Sequence, residues 1–356
     1  MLWDSGGTLV RLLRWAMAGA ALVLLGLVAT ISAGCDGDGE PGAPGSPTDA
    51  EAAGAGGTTT PTDAASAATT TPTEGITPGG GAAGAACSLG PMAAFPTGRT
   101  SAGAITSEGR ERTFQLYVPP SYDGTREIAL VLNFHGLGSN GAEQQFYSGL
   151  VPVAEREGFL VVSPDGINRS WLLTPGVNDI TFTRDLVAGI AEFACVDLDR
   201  VYATGISNGG FMSAALACFA GDLVAAVAPV AGMTAAGNLC GDPVPFIEFH
   251  GTDDRVVPYE PGIVAPTGGS FAGVPALMEA WAEFNGCEGE PREEPVGESV
   301  VFREYLGCKA PTGHYVVKGG GHTWPGAVAV DRLGVTTREI SATEIAWAFF
   351  EANPRK

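Results

Sequence analysis

From Thr113 to the C-terminus, short apolar runs and longer amphipathic stretches take turns, and this alternation constrains the fold more than any other feature of the chain. Phe114-Gln115-Leu116-Tyr117-Val118 alternates like a half-buried strand, and Pro119-Pro120 ends it because proline cannot donate to a strand ladder. Ile128–Phe134 is apolar except for Asn133, the continuous run required of a strand covered on both faces. The pattern then predicts a helix over 141–157, a strand over 159–162, a helix over 179–194 and a strand over 201–204. A helix over Asn208–Phe219 follows, then strands over 224–230, 246–249 and 315–317, with helices over 274–285 and 342–351. Regular alternation of this kind predicts an α/β fold, a mostly parallel central sheet with helices on both faces. Such sheets bind ligands beyond the carboxyl ends of their strands, so chemistry is to be sought in the loops that follow strands.

The N-terminus reads as an address. Arg11 and Arg14 precede an apolar run over 16–33, and Gly34-Cys35 follows directly, the order of a secretory signal. Ser32-Ala33-Gly34-Cys35 resembles a lipobox, with Ser32 where leucine is usual, so Cys35 is the expected lipidation site and membrane anchor. Plain cleavage nearby and an uncleaved anchor are the alternatives, and all three export the rest of the chain. Residues 36–86 are Gly, Ala, Pro, Thr and acid, with Ile76 the sole large aliphatic side chain. Such a stretch cannot bury enough apolar area to offset its chain entropy and is expected to be a disordered tether. The division is therefore a signal at 1–35, a tether at 36–86 and one folded domain at 87–356.

The formal charge is −20 and only three lysines occur, which leaves no basic footprint for nucleic acid. Six cysteines remain beyond Cys35: Cys87, Cys195, Cys218, Cys240, Cys287 and Cys308. An even set in an exported chain predicts disulfides. Cys287 and Cys308 flank one strand-bearing excursion and are the best single pair. No pair has C-x-x-C spacing and no cysteine lies near a histidine in sequence, so no metal site is expected.

Gly205-Ile206-Ser207-Asn208-Gly209 matches the G-x-S-x-G pattern, but 52 glycines make that string cheap. Its place between a predicted strand and a predicted helix gives it weight. Small flanking residues allow a sharp turn that exposes the hydroxyl beside a helix N-terminus. A serine hydroxyl needs a base, and the chain has four histidines. In this arrangement the chain order is Ser, acid, His. His135 precedes Ser207, His250 precedes the nearest downstream acids, and His314 abuts a strand start, where a surface or packing role is expected. His322 lies beyond the strand 315–317, behind Gly319-Gly320-Gly321, and is the expected base. Gly251-Thr252-Asp253-Asp254 follows the strand 246–249, and spacing allows either aspartate as the orienting carboxylate; Glu248, inside the strand, reads as structural. The oxyanion hole needs two backbone donors, the amide of Asn208 and one from His135-Gly136-Leu137-Gly138, with Leu137 preferred. His135 itself reads as a hydrogen-bonded loop anchor.

With those loops assembled, the chain resembles the polyhydroxybutyrate depolymerase and feruloyl/acetylxylan esterase family of α/β hydrolases. The matching segments are Phe134-His135-Gly136, Pro164-Asp165-Gly166 with Trp171, and Gly205-Ile206-Ser207-Asn208-Gly209-Gly210. They continue in 250–259, His-Gly-Thr-Asp-Asp-Arg-Val-Val-Pro-Tyr, and in Gly320-Gly321-His322-Thr323-Trp324-Pro325-Gly326. The resemblance covers about residue 87 to the C-terminus and selects Asp254 over Asp253 as the acid. It implies a Ser207–His322–Asp254 serine esterase that forms an acyl-enzyme without a cofactor. Trp171 and Trp324 would line the acyl pocket, and the substrate would be an ester of an extracellular polymer or its fragments. A peptidase on the same scaffold and a non-catalytic surface binding protein are the rival readings.

Overall fold

The computed structural model describes residues 95–172 and 178–355. The signal, the tether, Cys35 and Cys87 lie outside the described residues. In chain order the strands are β1 (Arg99–Ser107), β2 (Arg110–Val118), β3 (Ile128–Phe134), β4 (Leu160–Pro164), β5 (Val196–Ile206) and β6 (Ala226–Val230). They continue with β7 (Phe246–Gly251), β8 (Gly262–Val264), β9 (Gly269–Phe271), β10 (Arg292–Pro295), β11 (Val300–Tyr305) and β12 (Thr312–Val317). The helices are α1 (Gly141–Ser148), α2 (Leu150–Glu157), α3 (Asn178–Ala191), α4 (Asn208–Phe219), α5 (Val274–Phe284) and α6 (Ala342–Ala352).

Ten strands form one sheet in the order β1-β2-β4-β3-β5-β6-β7-β12-β11-β10, and β8 and β9 pair separately. The central six, β4 to β12 in that order, run parallel, while β1-β2 and β10-β11 add antiparallel edges. This is the mostly parallel α/β sheet that the alternation predicts. β3 shows why its sequence is apolar throughout: Leu130, Leu132 and Phe134 enter one core cluster, and Ala129 and Val131 enter the other. Asn133 is no flaw in that strand. Its amide donates to Ser148 and Ser163 and accepts from Gln144, so a fully buried polar group is satisfied.

Aromatic rings seat the helices. Trp347 and Phe350 of α6 stack on Phe159 and Tyr202 at 3.8 and 4.8 Å, and Trp281 of α5 stacks on Phe246 at 4.1 Å. Burying each such ring contributes on the order of 2 kcal/mol or more. Two disulfides, Cys218–Cys240 and the expected Cys287–Cys308, are present, and Cys195 is also disulfide-bonded.

Three local readings change. The single helix expected over 141–157 is two, because Gly149 takes a φ of 64° that turns the chain between α1 and α2. β1 carries little apolar signal, since Ile105 is its only buried large aliphatic side chain and its ladder is supplied by β2. His314 lies inside β12, fully buried, rather than ahead of a strand start.

Candidate active site

Six loops follow the carboxyl ends of the parallel strands. β3 leads onward to a helix and to β4 on one side of it, whereas β5 lies on its other side. The crevice where the strand order diverges is thus bounded by residues 135–138 and by Ser207. A Cβ built on Gly136 would stand 3.5 Å from the Ser207 Cβ, so the two loops meet there.

Ser207 joins β5 to α4 with φ 57° and ψ −119°, a conformation that side chains rarely adopt. The surroundings hold it. The Ser207 amide donates to the Val230 carbonyl, and Phe211 donates back to the Ser207 carbonyl, both at 2.9 Å. A Cβ on Gly209 would lie 2.1 Å from the Phe134 carbonyl oxygen, and one on Gly205 2.6 Å from the same atom. Glycine is therefore required on both sides of the serine by close approach of backbone to backbone. The half-buried hydroxyl ends up at the N-terminus of a twelve-residue helix, where the helix dipole favours negative charge.

On the other side, the loops after β7 and β12 are laced together. Thr252 donates to the Val317 carbonyl and Asp253 to that of Gly320, both at 2.9 Å, and Gly319 donates to the Thr252 hydroxyl at 2.8 Å. A Cβ on Gly251 would meet the Gly320 carbonyl at 2.2 Å, so this junction also needs glycine. The lacing brings buried Asp254, and not exposed Asp253, to buried His322, with Oδ2 accepting from Nδ1 at 2.7 Å. The other oxygen, Oδ1, accepts the amides of Val256 and Val257 at 2.8 and 2.9 Å. Burial pushes the Asp254 carboxyl up, but the imidazoles of His250 and His322 outweigh it and hold the group well below the usual carboxylate range.

The loop after β3 carries Leu137, and the other expected oxyanion donor, the Asn208 amide, opens α4 beside Ser207. Leu137 is half exposed and sits between Gly138, whose amide donates to the Arg169 carbonyl, and the Ser139–Gly136 turn. His135 is fully buried. Its Nδ1 donates to the Gly136 carbonyl, and its Nε2 accepts from the Gly166 amide at 2.9 Å, which fits the neutral ring that burial favours. The Asn208 side chain does work that the sequence did not suggest: Oδ1 accepts the Trp171 amide at 2.7 Å, and Nδ2 donates to its carbonyl at 3.3 Å. The Trp171 indole N–H donates to the His135 carbonyl at 2.8 Å, so loop 165–172 is tied to both others. Beneath it, Arg112 and Asp179 form a buried ion pair at 2.8 Å, and Asp179 also accepts the Leu172 amide. Trp171 and Trp324 are 2% and 1% exposed, and the Trp324 indole N–H donates to Thr343. Both indoles are thus buried and bonded within the fold.

Glu248 and His250, neighbours on one face of β7, are also buried here and reach Asp254 from within the sheet. Two ionisable residues two apart on a buried strand, just ahead of an Asp-Asp pair, were the available signal.

No protein-family model matches the chain. It is 30% identical to feruloyl esterase D of Neurospora crassa over 231 residues, covering 60% of this chain and 74% of that one. It is 29% identical to feruloyl esterase C of Emericella nidulans over 250 residues, covering 68% and 84%. Feruloyl esterase B of Piromyces equi is 31% identical over 220 residues, which span 57% of this chain but only 41% of that enzyme. Among solved structures, an acetyl xylan esterase from Aspergillus awamori shares the fold with a TM-score of 0.51 at 15% identity, covering 70% of this chain and 99% of that one.

Proposed function

The chain belongs to the feruloyl/acetylxylan esterase family of α/β hydrolases and is a carboxylic ester hydrolase, and from that premise we propose that Ser207, His322 and Asp254 are its catalytic triad. The observation that carries this reading is the 2.7 Å contact of His322 Nδ1 with Asp254, at the same sheet edge as a serine held at positive φ. Asp254 fixes the tautomer in which Nε2 is free to act as the base. Ser207 Oγ attacks the ester carbonyl while His322 Nε2 takes its proton. The oxyanion that forms is received by the backbone amides of Asn208 and Leu137. Collapse expels the alcohol, which leaves with the proton from His322. Water then attacks the acyl-Ser207 ester by the same path in reverse roles, releasing the acid and restoring the hydroxyl. Asn208 contributes twice, through its amide and through the side chain that holds Trp171.

The substrate is an ester of an extracellular polymer or of its fragments: feruloyl or acetyl esters on polysaccharide, or hydroxyalkanoate esters. The names of the relatives favour the feruloyl esters. Export through the N-terminal signal, with Cys35 lipidated and 36–86 as tether, would hold the enzyme at the cell surface or in the periplasm. The disulfides are the chemistry of such an oxidising compartment.

The test is rapid-mixing hydrolysis of p-nitrophenyl acetate and butyrate. Wild type should release a burst equal to the enzyme concentration, and Ser207→Ala should release none. Turnover by Ser207→Ala at the wild-type rate would remove the triad from the account. Product analysis on feruloylated xylan, acetylated xylan and polyhydroxybutyrate then ranks the substrate classes.

A further inference from the structure

Behind the Asp254–His322 contact lies a second, wholly buried set of ionisable groups. His250 Nδ1 meets Glu248 Oε1 at 2.8 Å, and its Nε2 meets the Val257 carbonyl at 2.9 Å. That same Nε2 is 3.4 Å from Asp254 Oδ2, the oxygen that receives His322. A carbonyl oxygen can only accept, so His250 Nε2 must carry a proton. The Nδ1–Oε1 contact holds one more proton between imidazole and carboxylate. The second Glu248 oxygen makes no hydrogen bond among the described residues; it lies 3.3 Å from His314 Nε2, close but misaligned. His250 is therefore the principal partner of a carboxylate buried at the centre of the sheet.

We propose that Glu248 and His250 are a positioning pair for the hydrolytic site: Glu248 keeps the His250 ring charged, and His250 presents its N–H edge to Asp254, holding that carboxylate ionised and limiting how strongly it pulls on the His322 proton. The proposal rests on the triad reading above. Val257 joins the two halves, because its carbonyl is bound by His250 while its amide is bound by Asp254. One displacement of His250 would thus loosen both ends of the turn that aims Asp254. Burial pushes the His250 imidazole down, but Glu248 and Asp254 outweigh it and raise it to about 10. Burial raises the Glu248 carboxyl, with Asp254 adding to it, and the His250 contact is what opposes that rise and favours the charged pair. The other ionisable groups facing this set are accounted for. His314 is pushed well below its ordinary range by burial, with His250 and Arg303 adding to it, and is neutral. The Tyr259 ring stands 6.1 Å from that of His250, and burial pushes its phenol up to about 12. Arg303 lies across from His314 in the β11–β12 register.

Glu248→Gln isolates the charge. A glutamine N–H can donate to Nδ1 of a neutral His250 while Nε2–H still serves Val257, so the hydrogen bonds survive and the positive charge does not. With p-nitrophenyl acetate as probe, kcat should fall about tenfold with KM within about twofold, the signature of a disturbed arrangement rather than lost substrate binding. The sign of the pH effect follows from charge. With His250 neutral, no positive charge offsets Asp254 beside the catalytic base, so the acid limb of kcat/KM moves up by about one pH unit. An unmoved acid limb, or a shift to lower pH, would overturn the proposal. Ser207→Ala run alongside separates the two levels: its inactivity with a wild-type-like Glu248→Gln sinks the pairing and spares the triad. Should Glu248→Gln fail to fold, nitrogen-15 NMR of the histidines in wild type decides. The account requires both His250 ring nitrogens to carry protons at pH 8; a neutral ring there would contradict it.

Discussion

The two halves of the site are held by different physics. On the nucleophile side, Ser207 is fixed by backbone crowding: Gly205 and Gly209 let carbonyls approach so closely that the strained φ is the conformation that fits. On the acid–base side, no unusual backbone angle holds Asp254 or His322. Their placement comes from hydrogen bonds that lace two loops, aided by one close glycine contact at Gly251, and from the buried Glu248–His250 pair in β7. Steric control is local and tolerant of pH. Electrostatic control is distributed and titrates. The comparison implies that the two halves should fail differently.

The largest contrast is between adjacent aspartates. Asp254→Asn removes the group that fixes the His322 tautomer and should lower kcat by roughly 10⁴-fold, the size seen for the corresponding change in the serine protease triad. Asp253→Asn, exposed and bonded mainly through its backbone, should change kcat less than about twofold. Steady-state kinetics on one chromogenic ester reads both, and equal losses would erase the distinction. Next in size is the steric half. Gly209→Ala forces a methyl onto the Phe134 carbonyl, so stability should drop by about 1–3 kcal/mol or more, read as a lower denaturation midpoint. A midpoint equal to wild type would mean that the turn is looser than its geometry. The smallest effect belongs to the buried charges. His250 binds its proton more tightly folded than unfolded, so its stabilising contribution is full below about 6.5 and is lost as pH rises toward about 10. Tm should therefore slope downward over that window, and Glu248→Gln should flatten the slope. A Gly209→Ala variant should keep the wild-type slope, because its defect is steric.

The same contrast explains what was legible in the sequence. The β5–Ser207–α4 turn is contiguous, so its glycines, its strand and its helix could be read from one stretch of residues. Asp254 and His322 could be reached too, because each follows a recognisable strand and histidines are few. The pairing of Glu248 and His250 with Asp254 could not. It arises where β12 docks on β7 with His314 beside Glu248, a register set by residues more than sixty apart. Edge strands were hidden for another reason. β10 is exposed along its length and β1 buries only Ile105 and Ser107, and a strand that borrows its ladder from a neighbour needs no apolar alternation of its own. The break between α1 and α2 turned on a single glycine, Gly149, within a pattern otherwise suited to one helix. The Asn208 clamp on Trp171 joins side chain to backbone across loops, and no residue pattern encodes it.

The most direct measurement of the central claim is mass spectrometry of the acylated protein. Wild type quenched in acid during turnover of p-nitrophenyl butyrate should carry one butyryl group, located by peptide mapping on Ser207, and Asp254→Asn should carry it in greatly reduced yield after the same interval. A butyryl group on any other residue, or steady turnover with no adduct on Ser207 at any time, would contradict the account.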